Sequence, residues 1–146
     1  MGRGRANVAD MDLERFVRAQ DEHQTYTHAV AELRAGRKTG HWMWFVFPQI
    51  AGLGRSATAQ AYAIADLAEA RAYLDHPVLG PRLVECAEIV AGHRDKTAVQ
   101  IFGGIDAMKL RSSMTLFAAA DPEQPAFAAV LEQFFEGPDP ETLRRL

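Results

Sequence analysis

The chain sets apolar stripes at helical spacing between short polar or glycine-bearing interruptions. Leu13, Phe16 and Val17, then Tyr26, Ala29, Val30 and Leu33, predict two helices separated by a polar break at Asp21 to Thr25. Gly36 is placed to end the second. Gly40 to Phe47 is dense in aromatics, lacks strand alternation and is stopped by Pro48, so it reads as a buried helical turn. Gln49 to Ser56 carries Gly52 and Gly54 and reads as a loop, after which Ser56 caps a helix to about Ala65. Asp66 with Glu69 three residues on is a capping-box pattern, opening a helix that buries Leu67, Ala70 and Leu74 and ends before Pro77.

Further along, Pro81 suits a first helical turn, and Leu83, Ala87 and Val90 form a stripe that ends at Gly92, with Cys86 in the same core. Thr97 to Phe102 is too short for periodicity to choose between helix and strand. After Gly103 and Gly104, Asp106 is placed to cap a helix to about Ala120. Pro125 opens another, with Phe127, Val130, Leu131 and Phe134 on one face, and Asp139-Pro140 starts a last short one. The pattern predicts an all-α, compact single-domain bundle of about seven to nine short helices, with no substantial sheet. It occupies residues 11–146, behind a flexible tail over residues 1–10.

Composition narrows the functional classes. At 146 residues the chain makes one domain, and 48% hydrophobic residues suffice for a core without metals or disulfides. Sixteen basic residues against 19 acidic ones, a net charge of −3, argue against nucleic acid or an anionic membrane as partner. A single cysteine excludes an internal disulfide and suits a reducing compartment. No apolar run has the length of a membrane span and no signal core follows the start, so a cytoplasmic location is expected. The remaining histidines, His23, His28, His76 and His93, lack metal-ligand spacing; no metal or cofactor is expected.

Three segments carry candidate chemistry. The first is His41-Trp42-Met43-Trp44-Phe45, which holds both tryptophans and is followed by Gln49. Residues two apart in a helix point about 200° from each other, so one tryptophan packs in the core while the other is free to line a pocket. A wholly buried aromatic turn is the plainer reading. The second is the turn Gly52-Leu53-Gly54-Arg55-Ser56 running on to Gln60, where glycine backbone, a guanidinium and a hydroxyl suit an anion; a glycine turn with a capping serine is the alternative. The third is the helix of Asp106, Lys109, Arg111, Ser112 and Ser113, read as amphipathic with a compact polar face at 106, 109 and 113. Lys109 is one of three lysines beside 13 arginines, and an ordinary Asp106–Lys109 ion pair on a solvated face accounts for it equally.

The strings His41 to Gln49, Gly52 to Ser56 and Met108-Lys109-Leu110-Arg111-Ser112-Ser113-Met114-Thr115-Leu116-Phe117 resemble an uncharacterised bacterial domain family whose members often carry the label calpastatin. The resemblance runs from about Leu13 to Leu143 and implies a small helical domain, not the extended, disordered inhibitor that the label describes. A lesser similarity, limited to the helix Met114 to Phe117 and to Leu131, Gly137, Asp139 and Leu143, is to the NADAR family of ADP-ribose and N-glycosidic chemistry. Gln60 stands where that family places an acidic residue, which removes an obvious general acid or base.

Two functional expectations follow. One is a pocket for an anionic, nucleotide-like small molecule, built from Trp42 or Trp44, Arg55 and the helix start at Gly54 and Ser56, with Gln49, Gln60, Asp106, Arg111 and Ser113 as further contacts. In a hydrolytic version, His41 acts as acid or base and Lys109 or Arg55 steadies developing negative charge. The other is a helical interaction module without enzymatic activity, taking a protein partner of unspecified kind in an apolar groove.

Overall fold

The computed structural model describes residues 12–146; the tail expected over residues 1–10 lies outside the described residues. Helix α1, Glu14–Asp21, buries Phe16, Ala19 and Gln20 and leads into a 3-10 turn at Glu22–Gln24. There His23 and Gln24 take φ values of 54° and 57°, the left-handed region, and this breaks the chain between α1 and α2, Thr25–Ala35. Gly36, at φ 76°, closes α2 in a Schellman arrangement, its N–H donating to the Leu33 carbonyl while that of Arg37 donates to the Glu32 carbonyl. The aromatic turn is a single helical turn, α3, Met43–Val46, stopped before Pro48 as its sequence requires.

The Ser56 hydroxyl caps α4, Ala57–Ala61, by accepting from the Ala59 N–H. This helix is shorter than its expected end near Ala65, because the following residues leave it to bridge Ile50. Ile64 N–H donates to the Gln49 carbonyl and Ala51 N–H to the Ile64 carbonyl, both at 2.8 Å. Helix α5, Leu67–Asp75, opens on Asp66, whose carboxylate accepts from the Glu69 N–H. Only half of the expected capping box forms, since the Glu69 carboxylate turns away to the Ala65 N–H and Arg15. Tyr73, fully buried, carries the apolar face of α5 more than Leu67 or Leu74 does.

Helix α6, Leu79–Ala91, buries Leu83, Cys86, Ala87 and Val90 along the expected stripe. Gly80 lets it approach α5 closely; a Cβ there would sit 2.0 Å from the Leu74 carbonyl oxygen. Thr97 and Gln100 make a reciprocal capping box, which resolves the ambiguous segment as a helix, α7, Ala98–Phe102. Gly103, at φ 81°, then redirects the chain into α8, Gly104–Ala120. Asp106 therefore lies inside the first turn of α8 and not at its cap, since the helix begins three residues earlier than expected. Helix α9, Pro125–Phe134, and α10, Pro140–Arg144, complete the bundle, the latter capped by Asp139.

Helix α8 is the spine, packed against α5, α7, α9 and α10. Its second half is enclosed, with Ser112, Ser113 and Thr115 buried beside Met114, Leu116 and Phe117. The compact polar face expected at 106, 109 and 113 thus ends after Lys109, because tertiary packing buries every residue from Ser112 to Phe117. Ser112 and Thr115 accommodate burial by donating to carbonyls one turn back, at Met108 and Arg111. Edge-on and tilted aromatic contacts run through the core from Phe16 to Tyr73, Phe117 and Phe127, with ring centroids 5.2, 5.2 and 5.9 Å apart. The fold is all-α; the described residues hold no strand beyond the isolated Ile50–Ile64 bridge.

Candidate functional site

A cavity of about 570 Å³ opens where the loop after α3, the α7–α8 corner and the chain around α10 meet. Its size lies within the range of small-molecule sites. Gln49, Leu53 and Gly54 line one side, Met108, Lys109 and Arg111 of α8 another, and Phe134, Phe135 and Asp139 the far end. The opening is apolar, with Val99, Ile105 and Met108 all more than half exposed on it. Two of the three candidate segments are thereby brought to one place.

Behind Lys109 stand two lysine–tryptophan pairs, of whose four side chains Lys109 alone lines the cavity. Lys109 Nζ lies 4.6 Å from the centre of the Trp44 ring, and Lys38 Nζ 4.9 Å from that of Trp42. One carboxylate serves both ammonium groups, Asp106 standing 2.7 Å from Lys38 and 3.6 Å from Lys109. Lys38, whose side chain is 6% exposed, also donates to the Gly40 carbonyl at 2.5 Å. Behind it, Glu32 Oε1 accepts from the Thr39 and Gly40 N–H groups and from Trp42 Nε1. Burial pushes the Glu32 carboxyl up, but these hydrogen bonds outweigh it and hold the group below the ordinary glutamate range.

At the other end, Arg111 is fixed by the Gly137 and Pro138 carbonyls at 2.9 and 3.1 Å. Asp139 accepts from the Thr142 hydroxyl and N–H and from Ser112. Burial again works upward, yet those hydrogen bonds and the nearby Arg111 hold Asp139 below the ordinary aspartate range. Two groups on the wall differ from all of these. Neither the Lys109 ammonium nor the Gln49 side-chain amide makes a hydrogen bond among the described residues.

The other expected site residues are placed elsewhere. Trp42 is buried and bonded to Glu32, so of the two tryptophans Trp44 is the half-buried one beside the cavity. His41 is exposed and does not belong to the cavity wall. Arg55, in the loop before α4, and Gln60, on α4, are exposed and linked by the Gln60 amide donating to the Arg55 carbonyl, and the Ser56 hydroxyl is used as a cap. Gly54 reaches the wall; Arg55, Ser56 and Gln60 do not. Ser113 is fully buried, its hydroxyl without a hydrogen-bond partner among the described residues. Sequence reasoning passed over Lys38, Glu32, Asp139 and the apolar rim of Val99, Ile105 and Met108. The scarcity of lysine that singled out Lys109 applied equally to Lys38.

No group of three or more metal-ligating side chains occurs among the described residues, and none of their helices is long and apolar enough to cross a membrane. A family model for proteins of unknown function, DUF1810, matches residues 10–146, and the chain belongs to that family. The crystal structure of the conserved hypothetical protein Rv1873 from Mycobacterium tuberculosis is similar, with a TM-score of 0.90 and 50% sequence identity over 94% of this chain and 97% of that one. No curated protein matches the sequence.

Proposed function

We propose that this domain binds a small anionic molecule, nucleotide-like in having a flat apolar body and a charged head, in the cavity beside Lys109. The supporting observation is the pair of polar groups on its wall, the Lys109 ammonium and the Gln49 amide, that lack hydrogen bonds among the described residues while polar groups around them have theirs. Half-buried donors of this kind gain most from a ligand that accepts from them. Leu53, Met108, Phe134 and Phe135 offer the apolar body a wall. The limited NADAR similarity adds ADP-ribose to the candidates. Because His41 lies off the wall, the proposal is one of binding, with Lys109 as the contact for negative charge.

A second reading has its own observation. Val99, Ile105 and Met108 are exposed by 59, 75 and 72% around the opening, as an apolar contact with a partner segment requires. Thermal unfolding against ADP-ribose, NAD, nucleotides and simple phosphates separates the two. A ligand at 100 times its dissociation constant adds about 2.7 kcal/mol, on the order of 10 °C for this length. The expected shift disappears in Lys109→Met and shrinks in Gln49→Leu. No shift with any compound overturns the small-molecule reading in favour of the partner segment.

A further inference from the structure

Both tryptophans, two of the three lysines and one carboxylate form a single cluster, and its asymmetry is informative. A desolvated ammonium is costly unless it is paired closely, whereas one near water tolerates a loose partner. Lys38 is the more enclosed, with 6% of its side chain exposed against 25% for Lys109, and it takes Asp106 at 2.7 Å. Its backbone is fixed as well, the Lys38 N–H donating to the Ile101 carbonyl at 2.7 Å, and the loop that follows hangs on Glu32. Asp106 is therefore drawn toward the enclosed lysine, and the Lys109 ammonium is left over Trp44 on the cavity wall.

We propose that Lys38 is a positioning residue for the Lys109 ammonium, an inference that rests on the binding reading above. Lys38 touches no ligand. It holds Asp106 back, so that Lys109 exchanges a loose contact at 3.6 Å for an anionic head without first breaking a tight ion pair. Without Lys38, Asp106 and Lys109 close on each other, and the ammonium leaves both Trp44 and the cavity.

Only three lysines contribute signals in protein labelled with [ε-13C]lysine, and Lys109→Met identifies the one of interest. Its Cε protons are expected upfield, displaced by the Trp44 ring current. In Lys38→Met that displacement falls by at least half. It returns in the double variant Lys38→Met/Asp106→Asn, which offers no carboxylate to close on, and it persists in Lys38→Arg. An unchanged signal in Lys38→Met overturns the inference. So does an equal loss in the single and double variants, which marks damage to the loop in place of re-pairing. With AMP as probe, Lys38→Met weakens binding at least tenfold and the double variant recovers it. A wild type that binds no AMP counts against the binding reading, while the ligand-free signals still decide the role of Lys38.

Discussion

Two ion-pair clusters of this protein use charge in opposite ways. Around Arg15 and Glu69 every group is tied down: the guanidinium donates to the Asp12, Ala61 and Ala63 carbonyls and to Glu69, whose other oxygen accepts from the Ala65 N–H. This cluster clamps α1 to the chain between α4 and α5. Around Asp106 one carboxylate is divided between two ammonium groups, and the outer one stands over Trp44 without a hydrogen bond among the described residues. A closed network rigidifies a fold, whereas an open one beside a cavity is arranged for something that arrives. Burial alone does not separate them, since the Lys38 side chain is 6% exposed and that of Arg15 18%; the difference is whether each charge is held by hydrogen bonds.

Breaking each cluster sharpens the contrast. Glu69→Ala removes the buried carboxylate that Arg15 and the Ala65 N–H share, and urea denaturation should show a loss of about 3 kcal/mol. Lys109→Met should cost less than about 1 kcal/mol in the same assay, as for a partly exposed ion pair, while removing ligand-induced stabilisation. Equal losses in the two variants would erase the distinction.

Acid provides the next test, through two carboxylates of the closed kind. Glu32 and Asp139 are both held below their ordinary range, after hydrogen bonds overcome burial. A carboxylate with a lowered folded-state pKa contributes stability that is present above its unfolded value and is lost as pH falls through the folded one. Stability should decline from about pH 5 downward, and more shallowly in Glu32→Gln/Asp139→Asn, which starts about 2 kcal/mol lower at neutral pH. Parallel pH profiles for the two proteins would show that these groups do not govern the acid limb.

The smallest effect lies away from both clusters. Gln24 is exposed and left-handed at φ 57°, a conformation that glycine adopts without the Cβ penalty. Gln24→Gly should therefore raise stability by about 0.5–1 kcal/mol, measured as the urea midpoint. A decrease would mean that the break between α1 and α2 is held by the Gln24 side chain.

What was legible in the sequence was whatever is decided within a few residues. Gly36, Ser56, Asp66 and Asp139 stand at helix ends because a cap bonds a backbone group a few positions away, whereas Thr97 caps a segment whose apolar run left helix and strand open. Long-range partners were not legible. Glu69 had a local role to fill, and nothing in its neighbourhood indicated an arginine 54 residues earlier that draws off its carboxylate. Asp106 was likewise read as a cap because Gly103 and Gly104 looked like one break, whereas the second glycine already belongs to α8. The polar positions of that helix read as a solvated face, and only the packing of four other helices shows that Ser112, Ser113 and Thr115 are enclosed. Of the site, sequence singled out Gln49, Gly54, Lys109 and Arg111, which the fold brings to one wall, and Trp44, which lies against Lys109. Lys38 and the apolar rim needed the tertiary structure.

The central claim is that the open cluster receives an anion, and the two indole N–H signals test it directly. Trp42 Nε1 is held by Glu32 at 2.9 Å, while Trp44 sits beside the cavity under Lys109. In a 15N-correlated NMR titration with AMP and then ADP-ribose, the Trp44 indole signal should move saturably, the Trp42 signal should stay in place, and both should be still in Lys109→Met. A Trp44 signal that does not move with either compound, or that moves equally in Lys109→Met, would contradict the account.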